Sequence, residues 1–206
     1  MASFRPNGKR ILEVHLDGET VRARSGAMIA YEGAVTFKKS GVGAGEGLRG
    51  ALKRKLTGES LDLMDMTGKG LVYLAVDATE VELIDLHGDT LQVESSALLA
   101  LGDGLSTAVT FTGLRGATTG QGLFTSTISG HGQVAVLSDG PAIALEVSSD
   151  YPLVVDPDAY VCSRGQLQQS FVTDVSWKTF VGDGNGEAYS LRFAGSGVVY
   201  IQPAER

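Results

Sequence analysis

VRARSGAMIAY, Val21 to Tyr31, returns as LQVESSALLAL, Leu91 to Leu101, and again as LVVDPDAYVCS, Leu153 to Ser163. Each copy runs from an apolar residue through a short polar turn to an alanine and a further apolar run. The shared alanines are Ala27, Ala97 and Ala159, at offsets of 70 and 62 residues. A second motif recurs in the same order: GKGLVYLA from Gly68, GHGQVAVL from Gly130 and GSGVVYIQ from Gly195. Its offsets are 62 and 65 residues, so two independent patterns share nearly one period. A period of this size marks a repeated supersecondary unit.

Within each repeat the apolar residues alternate. Leu12, Val14 and Leu16 fall on one face, as do Val81 and Leu83, and Ile143, Leu145 and Val147. Such alternation predicts β-strands. Turn signals follow at Asp17–Glu19, His87–Asp89 and Ser148–Pro152, which predicts strands of about five or six residues. The expected fold is all-β: three pseudo-symmetric antiparallel β units of about 65 residues, spanning roughly 11–76, 81–137 and 143–202 of one domain, 1–206. Units so small bury little alone, and no Pro- or Ser-rich linker separates them. They are expected to pack as one body and to cover their exposed sheet edges by forming a homo-oligomer, a trimer being one such ring.

Composition agrees with a folded core: 43% of the 206 residues are hydrophobic and 20% charged. The net charge of −7 argues against a general nucleic-acid binder. One cysteine, Cys162, excludes an intrachain disulfide framework and a cysteine-rich zinc site. The beginning of the chain carries no apolar signal segment and no run approaches a membrane span. The expectation is a soluble cytoplasmic protein.

The stretch GVGAGEGLRGALKRKLTGES, Gly41 to Ser60, is the strongest candidate for chemistry. Gly45 and Gly50 have P-loop spacing, but Ala51 and Leu52 stand where lysine and a hydroxyl are required. Gly45, Gly47 and Gly50 match a dinucleotide fingerprint, which has meaning only inside a βαβ unit. The segment that follows predicts one short helix near 46–57, with Leu48, Ala51, Leu52 and Leu56 as its apolar stripe and Gly58 beyond its end. Lys53, Arg54 and Lys55 complement the negative end of that helix.

A sharper reading adds Lys38, Lys39 and Arg49, with Gly43, Gly45 and Gly47, as a contact patch for a protein or an anionic membrane surface. From Lys38 to Lys55 six positive charges face Glu46, a local balance of +5. Matching Phe37 and Leu61 to Phe111 and Leu123, and to Phe180 and Ala188, gives separations of 24, 12 and 8 positions. By that match the glycine stretch is an insertion made once per chain.

No catalytic, cofactor-binding or metal-ligating set emerges. His15, His87 and His131 occupy different places in their repeats, in a strand, a turn and between two glycines, whereas metal ligands must converge. DGNGE, Asp183 to Glu187, lacks the spacing of a calcium loop, and no nucleophile elbow is present. Trp177 and Phe180 read as core or interface aromatics.

AMIAYEGAVTFK, the glycine-rich loop, LKRKLTGESLDLMDMTGKGLVYLA, GDTLQVESSALLAL and PLVVDPDAYV occur in order over roughly Ile11 to Ile201. Together they resemble the altered-inheritance-of-mitochondria protein twenty-four family, widespread in bacteria. The resemblance implies a triplicated fold related to the double-stranded β-helix and to the tryptophan RNA-binding attenuation protein (TRAP-like). It also implies a ring in which three chains of three units make nine, and a link to inner-membrane organisation in the mitochondrial relative. It brings no catalytic or ligand residues. The resulting expectation is a non-enzymatic oligomeric scaffold or adaptor without cofactor. The alternative is a ligand-binding module that takes RNA, an anionic small molecule or a lipid through the glycine-rich loop and basic helix.

Overall fold

A computed structural model describes residues 2–40, 61–113, 122–172 and 190–203, excepting the side chains of 109–113 and 122–124. The strands are β1 (Ser3–Asn7), β2 (Ile11–Arg24), β3 (Met28–Lys39), β4 (Leu63–Leu74), β5 (Glu80–Glu94) and β6 (Leu98–Leu101). There follow β7 (Leu105–Gly113), β8 (Gly122–Ser138), β9 (Ile143–Val147), β10 (Leu153–Val155), β11 (Tyr160–Val172) and β12 (Ser190–Ile201). The described fold is all-β and antiparallel, with single 3-10 turns at Ser95–Ala97 and Pro157–Ala159. The helix expected near 46–57 lies outside the described residues, as do Trp177, Phe180 and Asp183–Glu187.

The pairing order is β10, β12, β11, β5, β8, β6, β2, β4, β3, with β1 beside β2, β7 beside β8 and β9 beside β12. Three sets stand out, and in each the last strand lies between the others: β4 between β2 and β3, β8 between β5 and β7, β12 between β11 and the β9–β10 pair. Two short ladders join the sets. Arg22 and Ala23 of β2 pair with Leu101 and Ala100 of β6, and Gln92 and Val93 of β5 pair with Ser163 and Cys162 of β11.

Two of the turn signals are bulges inside long strands. Asp17 opposes Lys69 and Thr20 opposes Thr67, so three steps on β2 match two on β4. His87 and Thr90 do the same against His131 and Ser129. The extra residue changes which parity faces inward. Leu12, Val14 and Leu16 are buried before the first bulge, Val21 and Ala23 after it; Ile84 and Leu86 give way likewise to Leu91 and Val93. The strands are therefore 14 and 15 residues long, not five or six. Carboxylates hold both bends: the Asp17 N–H donates to Glu19 at 2.8 Å and the His87 N–H to Asp89 at 2.9 Å. Only at Ser148–Pro152 does the strand stop, separating β9 from β10.

The Gly-x-Gly motif permits close strand crossing. A Cβ on Gly68 would lie 2.0 Å from the Ala34 carbonyl oxygen, and one on Gly195 2.2 Å from that of Gln166. Gly130 meets the Gly104 carbonyl at 2.4 Å in the same sense. Only glycine fits such an approach.

The buried residues form three clusters. The first gathers Leu12, Val14, Met66, Val72 and Leu74 with Leu99 and Ala100. The second holds Ile84, Leu91, Ile128 and Val134 with Val161 and Cys162. The third contains Val147, Val155, Tyr160, Leu191, Phe193 and Val199. Thus β6 and β11 each reach into the cluster that precedes them.

Pairing also revises the size of the glycine-rich insertion. At matching registers Lys39 and Met64 are 25 positions apart, Val109 and Ser126 17, and Phe171 and Leu191 20. The Phe180–Ala188 match falls in 173–189, past the end of β11 at Val172. The first connection exceeds the third by a few residues only.

Candidate functional site

The ends of the sheet carry three of its exposed large apolar side chains, Ile143 of β9 being another. β3 has a pairing partner only in β4, and β10 only in β12, among the described residues. Ile29 is 55% exposed, Tyr31 49% and Val154 54%. By sequence repeat Ile29 corresponds to Leu99 and Val161, and Tyr31 to Leu101 and Ser163, all of them buried. The difference is a neighbour. β6 lies against β2 and β11 against β5, whereas among the described residues no strand pairs with the outer edge of β3. Tyr31 meets the Phe37 ring edge-on at 5.2 Å, so part of this surface is aromatic.

Of the expected contact patch, Lys38 and Lys39 close β3; Gly43, Gly45, Gly47, Arg49, Lys53, Arg54 and Lys55 lie outside the described residues. The Lys39 ammonium is 3.0 Å from Asp62, which also accepts from the Ser25 hydroxyl at 3.1 Å. Lys39 in turn holds the Asp62 carboxyl below its usual range. Lys38 stands in register with Asp65, whose carboxylate accepts from Ser40 at 2.7 Å. Extending the charge window to Asp65 adds Glu59, Asp62 and Asp65 and lowers the local balance from +5 to +2. Of these acids, the return of the chain brings Asp62 and Asp65 beside Lys39 and Lys38.

The structure brings together two of the three histidines. His87 and His131 are direct partners across β5 and β8, while His15 lies on β2 with Glu13 at 3.8 Å. Asp89 sits 3.1 Å from the Arg164 guanidinium. Its carboxyl is held below the usual range first by the His87 backbone N–H, then by its own backbone N–H, with the Arg164 charge adding to both. No cluster of three histidine, cysteine or acidic side chains suited to a metal occurs among the described residues.

A hollow of about 490 Å³ lies over β11 and β12, lined by Gly165, Gln166, Leu167, Gln168, Ala194 and Gly195, none with an acid, a base or a thiol. Cys162 is free and fully buried, and burial raises its thiol pKa, so the thiolate is suppressed.

Comparison with known proteins agrees with this all-β architecture. The crystal structure of protein SPYM3_0169 from Streptococcus pyogenes is similar over 100% of this chain and 94% of its own, with a TM-score of 0.77 and 21% sequence identity. At that identity the likeness concerns the fold. No curated protein matches the sequence. The family model described as mitochondrial biogenesis AIM24 matches residues 4–204, nearly the whole chain. The chain therefore belongs to the mitochondrial biogenesis AIM24 family.

Proposed function

We propose that the protein is a non-enzymatic oligomeric scaffold or adaptor, its chain built of three pseudo-symmetric units of the TRAP-like, double-stranded β-helix kind. The observation that carries this reading is the exposure of Ile29, Tyr31 and Val154 at the two ends of the sheet. Apolar side chains on open strand edges favour association. The three-unit reading is supported by the recurring bulges at Asp17 and His87 and by the three Gly-x-Gly crossings. Its task is to present a repeated surface to a protein or membrane partner.

Size-exclusion chromatography with light scattering tests it. The expected result is a homo-oligomer at micromolar concentration, independent of added ligand. A strictly monomeric species overturns it.

A further inference from the structure

We infer that β10 of one copy pairs antiparallel with the start of β3 of a second copy, Val154 opposite Tyr31 and Val155 opposite Ala30. This rests on the oligomer reading and names its junction.

The register comes from the two junctions inside the chain. Arg22 pairs with Leu101 and Ala23 with Ala100; Gln92 pairs with Ser163 and Val93 with Cys162. In the repeat, Arg22, Gln92 and Val154 are equivalent, and so are Leu101, Ser163 and Tyr31. Both junctions therefore use one register, and its third instance joins the two free ends. Those ends are the first and last strands of the pairing order.

Packing points to the same partner. A one-residue shift falls between Leu98 and Ala100, between Tyr160 and Cys162, and between Met28 and Ala30. The residues at these shifts are Leu99, Val161 and Ile29. Leu99 fills the first cluster and Val161 the second, each supplied by the set that follows. The third cluster, with Val155, Leu191 and Phe193, has no following set, and Ile29 has no preceding one. Ile29 of a second copy completes the third cluster. Burying it removes an apolar side chain from water, and the strand pair satisfies edge N–H and C=O groups. The contact joins unlike surfaces, so it repeats from copy to copy and closes as a ring or extends as a filament.

The test uses the full chain with two double variants, Val154→Cys/Tyr31→Cys and Val154→Cys/Val35→Cys, each treated with a short bifunctional thiol reagent. Buried Cys162 stays silent in both. The expected product is a ladder of linked chains in the first variant and none in the second. Ile29→Asp, at an exposed position, is expected to lower the solution mass while the circular dichroism stays native. An oligomer without that ladder, with equal ladders in both variants, with links only inside one chain, or with Ile29→Asp mass unchanged overturns this junction and leaves the scaffold standing. A monomeric parent protein overturns both.

Discussion

Arg22 stands opposite Leu101 where β2 meets β6, and its guanidinium reaches beyond that pair. It donates to the Leu105 carbonyl and, at 3.3 Å, to the Thr107 hydroxyl. The half-buried cation thus ties β2 to β7, while the backbone of the same residue pairs with β6. Arg22→Ala leaves the Leu105 carbonyl without this donor, and hydrogen bonds to a charged group contribute about 1.5–3 kcal/mol. The expected loss in urea unfolding is of that order. A midpoint equal to that of the parent would show that the junction does not depend on the guanidinium.

Gly68 and Gly18 separate two roles of glycine. Both have positive φ, at 137° and 106°, but only Gly68 faces a backbone carbonyl; a Cβ on Gly18 meets nothing within 4 Å. Gly18→Ala carries backbone strain alone, about 1–3 kcal/mol. Gly68→Ala adds a clash that forces β3 away from β4, so its loss is expected to exceed that of Gly18→Ala. Denaturant midpoints of the two variants, compared directly, check the order.

Phe193 is fully buried in the third cluster and stacks on Tyr160 with ring centroids 5.4 Å apart. Phe193→Ala removes that ring from a closed core, which typically costs about 3–5 kcal/mol. Phe193→Leu keeps most of the volume and is expected to lose less than half as much. Thermal unfolding distinguishes the two, and equal losses would contradict a packing role.

Asp89 sets a pH dependence. Its carboxyl titrates below its ordinary value of 3.8 in the folded chain, through the His87 N–H, its own backbone N–H and Arg164. A depressed folded pKa contributes stability that is complete above the unfolded value and is lost as pH falls through the folded one. Asp89→Asn is therefore expected to flatten the stability profile below about pH 4 and to leave its shape above pH 6 unchanged. Urea midpoints across that range measure it; an unchanged acid limb would exclude the contribution.

Cys162 reports on opening of the junction between β5 and β11. It is fully buried beside Val93, and burial disfavours its thiolate. The native protein is expected to resist a thiol reagent at pH 8, with labelling that follows the unfolding curve in urea. Rapid labelling of the native state would place this junction among the first parts to open.

Strand identity was legible because it is local. Alternation in Leu12, Val14 and Leu16 and the paired glycines at Gly68 and Gly70 state which residues turn inward and where strands cross. The bulges were misread because Asp17–Glu19 and His87–Asp89 have turn composition; whether such a tripeptide ends a strand depends on whether its partner continues past it. β4 and β8 do continue, and no partner strand is visible in the tripeptide itself. The surroundings of Lys39 were illegible for the same reason. Asp62 is remote from Lys39 in sequence, and the return of the chain places it 3.0 Å away.

By itself the sequence determined the β class, the inward face of Leu12, Val14 and Leu16, the two recurring motifs and membership of the family, all carried by near neighbours or by spacing. It did not determine the faces of β5 and β9, where Ile84 and Leu86 are buried in place of Leu83 and Ile143 is exposed. The tertiary structure decided which copies of a motif are covered. Ile29, Leu99 and Val161 are equivalent in sequence and alike in chemistry, yet Ile29 is exposed and the other two are buried. Burial is a property of the strand lying alongside, and only the pairing order shows that, among the described residues, the outer edge of β3 has none.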